Sequence, residues 1–256
     1  MDIFNLGLGV VLNLINQILD QAYAGMKWYG AVGFITGIVI YFVGLRIKLF
    51  QRKKKSLRLL TGFYSLFLPI LLGAYGVVWG GLHHSHQEFV AAVPDSVTPM
   101  TKISYTGYQF FVTQNWNSIE RQSIPFKETV YDFTAGIQFE PYMDDWMENQ
   151  KVELANQMAP MTTRWGIESI VESAMTYKNE DQPTGMSEEE YSQKAFIMAQ
   201  KADIYNYPDD FWTQVDTATV SRIDGYFTLL NWQAFGIFVV LLMLPVIEVL
   251  LNWRKR

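Results

Sequence analysis

The sequence predicts an integral membrane α-helical protein with three transmembrane helices and an N-terminal amphipathic helix. A mixed α+β extracytoplasmic domain is expected between the second and third spans. Three observations lead there. The apolar residues gather at 3–83 and 229–253 instead of spreading through the 256-residue chain. The acids gather between those runs: residues 84–228 hold 22 Asp and Glu against 9 Lys and Arg, a net of about −13, and the remainder holds 3 against 11, about +8. Finally, residues 46–58 carry seven basic side chains and no acid. Positive charge this dense beside apolar segments resists translocation, so this loop is expected in the cytoplasm and the acidic part outside it.

The first element, residues 1–24, lacks a basic leader and a small-residue cleavage site, so it is not read as a cleaved signal peptide. Asp2, Asn5, Asn13, Asn16 and Asp20, with Gly9 in the gap, recur at steps of three and four and form one stripe along a helix. Two placements fit: an interfacial anchor with the stripe toward water, or an upright helix with Asn5, Asn13, Asn16 and Asp20 facing a partner or a pore. Gly25 is expected to end this helix.

Residues 25–83 read as a transmembrane hairpin around the basic loop. Trp28 and Tyr29 open the first span, 28–45, and Arg46 and Lys48 close it, the usual interface anchors. Gly33 and Gly37 repeat a small-xxx-small spacing that lets helix backbones approach. The second span, 59–82, offers Gly73, Gly76 and Gly80 near one face, with a kink expected at Pro69. The third span, 231–252, starts at Trp232 and ends before the basic tail Arg254, Lys255, Arg256, giving a third element at 229–256. Glu248 interrupts it. That carboxylate either reaches the headgroup region and a basic partner, or lines an ion path with the N-terminal stripe.

Between the spans, residues 84–228 form the acidic domain. The runs at 101–113 and 129–139 are rich in β-branched and aromatic residues and read as strands, punctuated by Pro94, Pro99, Pro125 and Pro141. Residues 144–176 read as helix, interrupted near Pro160. Ser187 to Glu190 is a capping box opening another helix toward Asp203, and a last one is expected after Pro208.

Candidate chemistry is sparse. His83, His84 and His86 are all the histidines of the chain, and imidazoles this close can hold zinc or copper or respond to pH. With no second ligand cluster, polar filling of the interface is the plainer reading. The adjacent acids Asp144/Asp145 and Asp209/Asp210 diverge on a helix and lack the calcium-loop pattern. There are no cysteines, which excludes disulfides and thiolate metal sites. Nucleophile elbows, phosphate loops and His-Glu-x-x-His are absent, so no enzymatic activity and no cofactor are expected. A short loop and tail in the cytoplasm leave no room for a kinase or nucleic-acid-binding module.

No stretch carries a family signature. The expectation is a non-enzymatic subunit of a homo- or hetero-oligomeric membrane assembly, with the lipid bilayer and other membrane proteins as partners. A bacterial inner membrane, with the 84–228 domain in the periplasm, fits the charge split and the lack of cysteine. The alternatives are an ion-conducting channel component using the N-terminal polar stripe and Glu248, or a metal-holding accessory subunit of a membrane enzyme using the histidines.

Overall fold

The computed structural model describes residues 3–47, 55–139, 145–177 and 186–253. The basic loop at 46–58, the Asp144 position, the 179–187 loop and the tail at 254–256 lie largely or wholly outside them. Helices follow one another along the chain: α1 (Ile3–Arg46), α2 (Lys55–Ala91), a π-helical turn (Val93–Val97), α3 (Thr98–Gln122), α4 (Phe126–Ala135), α5 (Trp146–Tyr177), α6 (Glu188–Lys201), a 3-10 turn (Ile204–Asn206) and α7 (Asp209–Trp253). Among the described residues there is no strand. The mixed α+β domain is therefore overturned: the domain is helical.

The reason is visible in α3. Thr101, Tyr105, Tyr108, Val112 and Ile119 are buried and recur at helical spacing. β-propensity is a weak preference that packing overrides, and here the helical period wins over the β-branched and aromatic composition. In α4, Phe126, Val130 and Thr134 bury one face in the same way. Pro160 also lies inside α5 without ending it.

A second correction concerns the N-terminus. The amphipathic segment is not a separate element, because α1 passes Gly25 without a break and runs 44 residues. Glycine costs a helix interior about 1 kcal/mol, which packing readily offsets.

The chain divides into two compact units: Met1–Asn16 with Phe89–Ile223, and Gln17–Glu88 with Asp224–Arg256. In the first unit, Tyr105, Tyr108, Phe126, Ile167, Ile170, Phe196 and Phe211 form the centre of the core. Tyr108 shares a hydrogen bond of 2.8 Å with the Thr129 hydroxyl, so its buried phenol is satisfied. Val11 and Ile15 of α1 pack on Ala155 and Ala159 of α5, which covers the apolar face expected to lie on a bilayer. Nearby, the Asn156 amide grips the Phe139 backbone, accepting from its N–H at 2.6 Å and donating to its carbonyl at 2.9 Å. Ser187 caps α6, its Oγ accepting from the Glu190 N–H at 3.2 Å.

The second unit holds the long apolar parts of α1, α2 and α7. Among the described residues, three helices are long and apolar enough to cross a membrane: Val11–Arg46, Gly62–Ala91 and Asp209–Leu250. Large apolar side chains such as Ile35, Phe42, Leu66, Val240 and Leu244 stand exposed along them. Surfaces of that kind suit hydrocarbon and not water.

Candidate functional site

The second unit brings the glycines of α1 and α2 together. A Cβ at Gly25 would lie 2.5 Å from the Gly80 carbonyl oxygen, and one at Gly80 would lie 2.5 Å from that of Gly25. At Gly37 it would meet Pro69 Cα at 2.5 Å, and at Gly33 and Gly76 it would overlap the backbones of Leu72 and Tyr29. Gly73 sits less tightly, its virtual Cβ 3.3 Å from that of Phe34. Partners rise on one helix as they fall on the other, so this is an antiparallel hairpin in backbone contact.

The three histidines point into different surroundings. His83 stacks on Trp79, ring centroids 5.3 Å apart, with Tyr29 edge-on. His84 packs against Gly25, its Nδ1 3.2 Å from the Gly80 carbonyl oxygen. His86 turns to α7, where Nε2 meets Asp224 Oδ1 at 2.6 Å beside Phe227. Among the described residues, no three His, Asp or Glu side chains converge as a metal site would require.

His86 belongs to a longer pattern. Tyr75 stacks on Phe238 at 4.3 Å, and the Tyr64 hydroxyl donates to Glu248 Oε2 at 2.9 Å. Residues 64, 75 and 86 are each eleven apart, three helical turns, so one face of α2 meets α7 along its length. The Glu248 carboxylate thus has a phenol partner, and the basic tail and most of the basic loop lie outside the described residues. On α1, Asn13 and Asp20 are exposed and Asn16 is half-buried, while the side chain of Asn5 lies outside the described residues.

The first unit holds a charge cluster that sequence reasoning missed. Arg222 on α7 donates from Nη1 to Glu168 Oε2 at 2.6 Å and from Nη2 to Glu172 Oε1 at 2.7 Å, both on α5. The two acids are one turn apart, so one guanidinium fork reaches both. Burial raises the Glu168 carboxyl above the ordinary range, against the opposing pull of Arg222 and Arg164. Tyr191 donates to Glu172 at 3.4 Å, and its phenol is raised by burial and by the Glu172 charge. Lys127, Glu172, Glu188, Tyr191 and Ser192 border a cleft of about 340 Å³. With Arg222 paired to two acids, the cluster fits a structural tie between α5 and α7. No spacing signal joins residues 54 positions apart, so only the fold reveals it.

The outer face of α3 is the other feature missed. Ile103 and Phe110 are 61% and 64% exposed, with the exposed Gly107 between them at helical spacing. Tyr205, 66% exposed, flanks them, its hydroxyl 3.2 Å from Thr106 Oγ1. The signal was present as apolar residues out of phase with Tyr105, Tyr108 and Val112, but a strand reading conceals it. The chain matches no known protein family, and comparison with curated proteins and with solved structures returns no match.

Proposed function

We propose that this chain is a non-enzymatic subunit of an oligomeric membrane assembly, anchored by α1, α2 and α7 and docking through its helical unit. The observation that carries the reading is the Ile103–Phe110 face of α3. Large apolar and aromatic side chains more than half exposed on a helix that is not itself a candidate span mark a protein contact. The clusters elsewhere are ion pairs and hydrogen bonds that close within the fold, which supports a binding role over a catalytic one.

The basic loop at 46–58 and the basic tail face the cytoplasm on the charge rule, and the acidic helical unit lies on the opposite side, a periplasm if the membrane is a bacterial inner one. Residues 1–16 group with that helical unit, which favours an N-terminus on its side and three crossings.

The test is a double substitution, Ile103→Asp with Phe110→Asp, in the membrane-extracted protein. The expected result is a folded chain that no longer co-purifies with its partner copies or subunits. Unchanged association would overturn the docking role of this face.

A further inference from the structure

Within the second unit, α2 and α7 border a cleft of about 420 Å³. Its walls include Ala74, Tyr75 and Val78 from α2, and Gln233, Ala234 and Phe238 from α7. The Tyr75–Phe238 stack brings the helices into contact, and the small side chains of Ala74 and Ala234 leave space beside it. Of the lining residues, only Gln233 and Tyr75 carry polar side-chain atoms.

We propose that this cleft binds one acyl chain of a phospholipid, with the Gln233 amide at the headgroup. Size decides between the two apolar occupants a membrane offers. The α7 wall, residues 230–241, rises about 16 Å, and a helix of that length and about 10 Å diameter fills on the order of 1,300 Å³. That is roughly three times the cleft, so a second helix could only lie across its mouth and leave it unfilled, whereas a single extended hydrocarbon chain fits within it. Polarity gives the orientation. Gln233 lies next to Trp232, where the apolar run of α7 opens, and the wall beyond it is Ile237 and Leu241. Leu82 and Leu230 border the cleft on the other side of Gln233, so one amide lies near the aromatic level of a trough that is otherwise apolar apart from Tyr75, which matches an amphiphile. The Gln233 amide has both a donor and an acceptor for phosphate and glycerol-ester oxygens.

This inference rests on α2 and α7 crossing a membrane, and the experiment separates the two failures. The full chain is reconstituted into phosphatidylethanolamine and phosphatidylglycerol, extracted in mild detergent, and its retained phospholipids are counted by native mass spectrometry. The expected result is one phospholipid per chain, reduced at least fivefold by Ala234→Phe, which fills the cleft, and by the near-isosteric Gln233→Leu, with helicity unchanged. Gly236→Ala, on an open face of α7, should retain the lipid. A wild-type chain without lipid, or retention at the wild-type level in either Gln233→Leu or Ala234→Phe, overturns the site. A chain that alkaline carbonate strips from vesicles overturns the membrane reading instead.

Discussion

Gly76 and Gly62 belong to the same helix, yet a methyl group would act on them in opposite ways. At Gly76 the new Cβ would run into the Tyr29 carbonyl, backbone that cannot turn aside, whereas at Gly62 nothing lies within 4 Å. Gly76→Ala should destabilise the hairpin by roughly 1–3 kcal/mol through overpacking. Gly62→Ala should be neutral or stabilising by up to about 1 kcal/mol. Thermal denaturation of the two variants in the same detergent checks the contrast. Arg222 tests the charge cluster in the same way. Removing it with Arg222→Ala strands Glu168 beside Glu172 and should cost roughly 2–4 kcal/mol at neutral pH, below the upper range for pairs sealed fully from water. The penalty should shrink in acid, where Glu168 takes a proton. Because burial raises this carboxyl above 4.5, its favourable contribution is complete below that value and is lost as pH climbs through the raised one. Glu168→Gln should therefore flatten the pH dependence of unfolding across that window, measured by urea titration at a series of pH values. Equal slopes in wild type and variant would contradict the burial of that charge.

At the scale of elements, α3 and α1 show what could be read in advance and what could not. Both periods of α3 are written in its residues: Tyr105, Tyr108 and Val112 inward, Ile103 and Phe110 outward. Composition rich in Thr, Tyr and Phe pointed to strands, and the helical period settled the outcome, because side chains at that spacing find a common core only on a helix. The α6 start was readable, since Ser187 and Glu190 satisfy end groups within one turn. Gly25 was misleading in isolation, because its role depends on Gly80, 55 residues away. The Arg222 fork and the Tyr64–Glu248 bond are likewise products of tertiary pairing, and neither leaves a local trace. Ser123 ends α3 in the left-handed region at φ 50°, where an L side chain is strained and glycine is not. Ser123→Gly should stabilise the first unit by up to about 1 kcal/mol, visible as a higher unfolding midpoint.

For the whole molecule, three helices among the described residues are long and apolar enough to cross a membrane, and the charge split carries the sidedness proposed for the acidic helical unit. The absence of cysteine makes the sidedness directly measurable, since one introduced thiol is the only one present. Thr113→Cys should label from outside intact cells and Ser56→Cys only after lysis; the reverse pattern would invert the topology. Assembly is read most directly from the particle mass of the wild-type chain in nanodiscs, with every co-purifying chain identified. The expected particle holds several copies of the 29.5 kDa chain, or one copy with stoichiometric partner subunits. A particle containing a single chain and nothing else would contradict the role in an assembly.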